Sequence, residues 1–283
     1  MALAEPIRIL SDLHFGHPAS LIEKAEAIAP LFQGAKTVVF NGDTVELRFL
    51  RGRARGKRNA ESMRQLCLEA GAQPVFLNGN HDPILARDSH LDLVDGAVLV
   101  THGDMLFHDI SPWKGAEADL MAEAHTQALT ELHEDAFDDF EKRLSASKRA
   151  SLAIELHKPQ IPRGPLAGLI TIARESWPPW RPMQIFKCWI ETPAKAVALA
   201  RVFRPRARVI IIGHTHYSGL WRRGPRTIVN TGSFLGLIGG KMLVDIVGDR
   251  VTLRKISRRG DTFAPGAEIE TLTATKLKPH EGF

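Results

Sequence analysis

Asp12 and His14 stand two residues apart, as do His214 and His216, and between these pairs come Gly42-Asp43, Gly79-Asn80-His81-Asp82 and His102-Gly103-Asp104. Carboxylate, imidazole and amide oxygen together suit borderline divalent cations such as Mn²⁺, Fe²⁺, Zn²⁺, Co²⁺ or Ni²⁺ better than a thiol-seeking ion or a calcium cage. On an extended chain alternate side chains share a side, so each pair is expected to chelate from extended backbone. Gly42, Gly79, Gly103 and Gly213 adjoin the candidate ligands, where a missing Cβ allows sharp turns and close packing about an ion. Any one of these pieces is common in unrelated chains, and a lone histidine more often belongs to a core.

The pieces can act together only if the fold gathers them. Residues 7–10, 37–40, 74–77, 97–100 and 208–212 are short apolar, β-branched runs, nearly continuous in hydrophobicity as strands covered on both faces are. Each leads directly into one of the polar clusters. In an open α/β sheet the carboxyl ends of the strands line the ligand crevice, so groups far apart in sequence can converge there. Helical patterns at residues 19–32 and 59–70, the second closed by Gly71, separate the early strands and argue for an α/β layered domain. Residues 227–229, 242–247 and 250–256 read as a more antiparallel set, the last two joined across Gly248-Asp249.

Residues 113–205 interrupt this pattern. Leu120, Ala124, Ala128, Leu132, Ala136, Phe140 and Leu144 recur at helical spacing, so residues 115–156 read as one long amphipathic helix or a broken pair. Its acids, among them Glu131, Glu134, Asp135, Asp138 and Asp139, read as a solvated face rather than a second metal site. A Pro- and Gly-rich passage at 159–165 ends the helix. The aromatic cluster that follows, Trp177, Trp180, Ile185, Phe186 and Trp189, is either a small core of its own or an apolar lid over the site. The expected organisation is a core domain of residues 1–112 and 206–267, a helical insertion at 113–205 and a tail at 268–283, poorly ordered over 276–283.

A chain of 283 residues, 44% hydrophobic, can bury one principal core and an appendage. Its start lacks the pattern of a secretory signal, and no apolar run reaches the roughly 18 residues a spanning helix needs, which makes a cytoplasmic location the expectation. Cys67 and Cys188 are too few and too far apart for a disulfide framework, and both are expected as reduced, buried thiols. A net charge of +5 and a pI near 9.4 favour anionic partners: phosphorylated metabolites, nucleic acid or acidic lipid headgroups. Residues 48–58 carry six basic residues and no acid, and are expected as an exposed loop or a loosely held helix start. Arg48, Arg51, Arg53 and Arg55 would then form either a plain solvated loop or an anion-capturing rim that meets the substrate.

Taken in order, Asp-x-His, Gly-Asp, Gly-Asn-His-Asp, His-Gly and Gly-His-x-His resemble the motifs of the calcineurin-like metallophosphoesterase family, over residues 7–216 with no motif missing. The resemblance implies a four-layer αββα sandwich of two mixed β-sheets with a helical insertion as a cap. It implies two divalent cations, Mn²⁺ foremost, one on Asp12, His14 and His216 and the other on Asn80, His102 and His214, with Asp43 bridging. It implies hydrolysis of a phosphate ester or pyrophosphate by a bridging water between cations about 3.5–4 Å apart, so that neither Ser11 nor Ser233 is needed as a nucleophile. His81 would contact the phosphate and protonate the leaving group, with Asp82 orienting its ring. Asn230-Thr231-Gly232-Ser233 resembles a loop that family members place beside the site.

Gly42-Asp43-Thr44-Val45-Glu46, His102-Gly103-Asp104 and the helical insertion resemble, further, the UDP-2,3-diacylglucosamine pyrophosphatases, which split a nucleotide-sugar pyrophosphate and cover its acyl chains with a cap. This chain departs from them at His81, where many have arginine. The implied partners are a phosphorylated small molecule or nucleotide sugar, with lipid or peripheral membrane contact through the cap. A generic phosphomonoesterase or phosphodiesterase, a nuclease, and a non-catalytic interaction scaffold are the alternatives.

Overall fold

The computed structural model describes residues 3–48, 52–111, 116–132, 138–153, 180–235 and 240–275. Two mixed sheets form its centre. The first has the order β11-β10-β9-β1-β2-β3, with β1 (Ile7–Leu10), β2 (Thr37–Asn41) and β3 (Gln73–Leu77) parallel and β9 (Met242–Val247), β10 (Arg250–Arg259) and β11 (Thr262–Thr273) antiparallel beside them. The second has the order β4-β5-β6-β8-β7, in which β5 (Val98–Thr101), β6 (Val209–Ile212) and β8 (Arg226–Asn230) are parallel. Its antiparallel edges are β4 (His90–Leu93) and β7 (Gly219–Arg223).

Strand alternation explains the layering. Ile7, Ile9, Val39, Val98, Val100, Val209, Ile211 and Val229 point into one apolar core between the sheets. The residues in between point outward: Leu10, Val38 and Phe40 towards α1 (Arg53–Glu69) and a 3-10 segment at Ala25–Leu31, on the far side of the first sheet. Leu99, Ile210, Ile212 and Ile228 meet α3 (Phe140–Ala153) and α4 (Arg181–Phe203) on the far side of the second. The result is the helix–sheet–sheet–helix sandwich that the sequence leads one to expect. Its fourth layer is α3 and α4, and α2 (Ala116–Glu131) packs against α3.

The long amphipathic stretch is therefore a broken pair, α2 and α3. The helix expected at 19–32 shrinks to the 3-10 segment, where Pro30 withholds a backbone donor. Three strands carried no clear signal in the sequence, β4, β7 and β11, and all three are sheet edges. An edge strand is covered on fewer sides and can be polar or, like β11 with Pro265 and register shifts against β10, irregular. Pairing with β10 carries β11 to Thr273, past the boundary expected at residue 268. Residues 276–283, the Pro- and Gly-rich passage at 159–165, Glu134, Asp135 and Trp177 lie outside the described residues. Cys67 and Cys188 are free, buried thiols, and burial pushes each pKa up to about 12. Among the described residues no helix is long and apolar enough to cross a membrane.

Candidate metal centre

The carboxyl ends of five parallel strands meet at one end of the sandwich: β1 delivers Asp12 and His14, β2 Asp43, β3 Asn80 and His81, β5 His102, and β6 His214 and His216. The chain does not stay extended there. Asp12, His14, Asp43, His214 and His216 have φ of 52°, 47°, 51°, 68° and 59°, in the left-handed region that non-glycine residues avoid. The expectation of chelation from extended backbone is thus corrected. Each pair converges because the backbone turns at the ligand itself, a strained conformation typical of functional sites. Two glycines make the crowding tolerable. A Cβ at Gly213 would overlap Asp12 Oδ2 and Ser11 Oγ, and one at Gly79 would overlap Asp43 Oδ1.

Asp12, His14, Asp43 and His216 bring one ligand atom each to within 4.8 Å of one another, and so do Asp43, His102 and His214; Asp43 belongs to both groups. His216 Nε2 lies 3.2 Å from His14 Nε2 and 3.2 Å from Asp12 Oδ1. His102 Nε2 lies 3.3 Å from Asp43 Oδ2 and 3.2 Å from Asn80 Oδ1, and His214 Nδ1 lies 2.9 Å from the same Asn80 oxygen. All seven sequence-derived ligands are brought together.

The far nitrogens of three imidazoles are fixed by oxygen acceptors, which sets the nitrogen facing inward. His14 Nδ1 donates to Glu46 Oε1 at 3.0 Å, His102 Nδ1 to the Asn41 carbonyl at 3.0 Å and His214 Nε2 to the Ile110 carbonyl at 2.6 Å. Ile110 itself has φ 55°, unusual for a β-branched residue, and is fully buried.

Burial would lower the His102 pKa, but Asp43 and Asp12 raise it to about 10, so the carboxylates make the pocket favourable to positive charge. Burial and neighbouring His102 lower His214 to about 4, keeping it neutral. With the Asn80 amide oriented as it is, the His214 Nδ1 lone pair faces a second acceptor. Among the described residues Asp43 Oδ2 is buried and makes no hydrogen bond, the nearest donor nitrogen being His102 Nε2 at 3.3 Å. Convergent acceptors and an unpaired buried carboxylate oxygen are what a borderline divalent cation needs, so the donor set fits such an ion.

His81 stands at the edge of this cluster, its Nε2 4.0 Å from Asp43 Oδ2. The expected partner does not orient it. The Asp82 carboxylate instead accepts backbone N–H groups from Asp43, Thr44, Val45 and Gly79, at 2.7–3.2 Å, and so clamps the loop after β2 to the loop after β3. Burial, with Asp43 nearby, raises the Asp82 pKa to about 6. The ring is oriented by Glu46, which accepts from His81 Nδ1 at 2.9 Å while also holding His14. Burial and then the Arg48 guanidinium hold His81 well below the usual histidine range.

Arg48 corrects the picture of an exposed basic loop: it is 1% exposed, and its Nη2 donates to His81 Nε2 at 2.9 Å. Arg53 Nε donates to the Leu47 carbonyl and Arg55 Nη2 to the Gly16 carbonyl, so both brace neighbouring loops, while Arg51 lies outside the described residues. Thr231 meets Ser11, whose Oγ donates to Asp12, and Ser233 Oγ donates to the Asp12 carbonyl, so the loop after β8 does adjoin the site.

One rim is aromatic. Trp189 of α4 stacks on Tyr217, 4.5 Å between centroids, and its Nε1 donates to the carbonyl of Thr215, the residue between two ligands. Trp180, Met183, Phe186 and Ile190 continue along one side of α4 with 62%, 74%, 58% and 60% exposure. Of the aromatic cluster expected here, Trp180 and Phe186 are exposed, Trp189 is stacked on Tyr217, and Trp177 lies outside the described residues.

No protein-family model and no curated protein matches the chain. Solved structures similar to it include Vps29 from Cryptosporidium parvum, at a TM-score of 0.46 and 11% identity over 96% of this chain and 100% of that one. A single mutant of Vps29 from Entamoeba histolytica gives 0.45 and 13%, over 93% and 99%. A dimetal phosphatase from Danio rerio gives 0.43 and 11%, over 92% and 99%. Likeness of this degree carries no information about activity.

Proposed function

We propose that this chain is a dinuclear metal-dependent phosphoesterase. The observation that carries the reading is Asp43, whose carboxylate is shared by two ligand groups and keeps one buried oxygen that makes no hydrogen bond among the described residues. Asp12, His14 and His216 would hold one cation, and Asn80, His102 and His214 the other. Two divalent cations there would supply a water acidic enough to attack at neutral pH and neutralise charge on the phosphoryl oxygens. Mn²⁺ is the first ion to try, with Fe²⁺, Zn²⁺, Co²⁺ and Ni²⁺ next.

The protein's own share is positioning and charge. Glu46 fixes His14 and His81 through their Nδ1 atoms, and Arg48 brings a buried positive charge to His81 Nε2, the side facing Asp43. An anionic phosphoryl group bound there would meet the Arg48 guanidinium and an imidazole already desolvated; its charge would raise the proton affinity of His81, which once protonated would assist the departing oxygen. The exposed apolar side of α4 and the Trp189–Tyr217 stack favour a substrate with an apolar part, as a diacylated nucleotide sugar has. In that reading residues 113–205 act as a cap as well as a layer of the fold.

Hydrolysis of p-nitrophenyl phosphate and its bis ester tests the class. Activity is expected to need added Mn²⁺, to vanish in Asp43→Ala and to fall strongly in His81→Ala. Metal-replete protein inactive on a broad phosphoester panel would overturn the enzyme reading and leave a scaffold.

A further inference from the structure

The opposite end of the second sheet carries a different chemistry. Arg208 precedes β6 and Arg226 opens β8; the strands are parallel with Val209 opposite Thr227, whose N–H donates to the Arg208 carbonyl at 2.8 Å. The two arginines are therefore neighbours at the amino ends of strands whose carboxyl ends lead to His214 and to the loop beside the candidate metal centre. In step with them along the strands, Ile210, Ile212 and Ile228 belong to the core under α4, so both lie on the α4 face. Arg201 stands in the last turn of that helix. Arg223 faces Arg226 across the β7–β8 hairpin.

Among the described residues, none of Arg201, Arg208, Arg223 and Arg226 has a carboxylate partner. The nearby acids Asp92 and Glu270 are paired with Arg204 and Arg222 instead. Arg226 is only 8% exposed. Its Nη2 donates to the Pro205 carbonyl at 3.0 Å, while Nε is buried and has no hydrogen-bond partner among the described residues. A buried cationic donor without an acceptor is costly and asks for an explanation. Burial, then Arg201 and Arg208, push the Arg226 pKa down, with no acid opposing them.

We propose that Arg226, flanked by Arg201 and Arg208, forms an oxyanion site that takes a phosphate group at the end of the sandwich opposite the metal centre. Guanidinium forks match phosphate oxygens with paired N–H donors, and an oxyanion would neutralise the cluster. The site is independent of the phosphoesterase reading.

Calorimetric titration of inorganic phosphate into the chelator-treated full chain, at matched ionic strength in chloride, tests it. Saturable binding is expected in the parent protein and in Asp43→Asn, which disables the metal centre only. It is expected to disappear in Arg226→Met and to weaken by about tenfold or more in the Arg201→Gln/Arg208→Gln double variant, which leaves the buried side chain in place. Should Arg226→Met not fold, the double variant decides. No saturable binding in the parent, or equal binding in the parent and the double variant, would overturn the proposal, as would loss of binding in Asp43→Asn alone.

Discussion

The ammonium of Lys148 on α3 lies 2.7 and 2.8 Å from the two carboxylate oxygens of Asp104, two residues beyond His102, and both side chains are buried. Ser147 Oγ donates to the same carboxylate at 2.7 Å. Helix α3 thus grips the loop that follows His102, a proposed metal ligand. Removing one partner of a buried pair strands the other charge, so Lys148→Met is expected to cost about 3–5 kcal/mol in urea unfolding. The Asp104→Leu/Lys148→Met double substitution should recover most of it. A single substitution costing under about 1 kcal/mol would mean that the pair does not anchor α3.

Glu46 holds two imidazoles at once, and its replacement should act on both. In Glu46→Gln the affinity for the cation on Asp12, His14 and His216 is expected to fall about 10–100-fold, as with other outer partners of metal-bound histidine. The second cation should be little affected. Two-site calorimetry with Mn²⁺ separates these, and equal weakening of both sites would contradict the assignment.

Gly213→Ala introduces a methyl group where Asp12 Oδ2 and Ser11 Oγ already stand. Overpacking of this kind typically costs about 1–3 kcal/mol, so the protein should still fold. Displacing Asp12 should nevertheless abolish tight metal binding. Unchanged Mn²⁺ stoichiometry in that variant would show that the close approach is not needed.

Cys67 and Cys188 should resist alkylation. With both pKa values near 12, the thiolate fraction at pH 8 is about one in ten thousand, and burial slows access further. Native protein is expected to stay unlabelled by iodoacetamide while guanidinium-unfolded protein takes up two labels. Rapid labelling of the native state would mean that the packing around α1 or α4 opens readily.

The sequence made β1, β2, β3, β5 and β6 and the seven candidate ligands legible for one reason: strands packed on both faces leave continuous apolar runs, and each of these runs leads to a candidate ligand. Of the four edge strands only β3 carries such a run, so β4, β7 and β11 were invisible. The same limit applies to the partners of the ligands. The Asn41 and Ile110 carbonyls act through backbone atoms that any residue could provide. Asp82 was adjacent in sequence to His81 but is turned to the backbone, whereas Glu46 reaches the ring from another strand's loop. Arg48 looked like part of a solvated basic run because charge density says nothing about which member of the run folds inward.

Asp12, Asp43 and Asn80 follow strands of the first sheet, while His102, His214 and His216 follow strands of the second. Cations shared between these sets would cross-link the two sheets at one end only, leaving the arginine-rich end joined by side-chain packing. Loading the metal should then make local opening asymmetric. Amide protons near the ligand loops would exchange only with global unfolding, while those at the amino ends of β6 and β8 would keep their faster, local route to solvent.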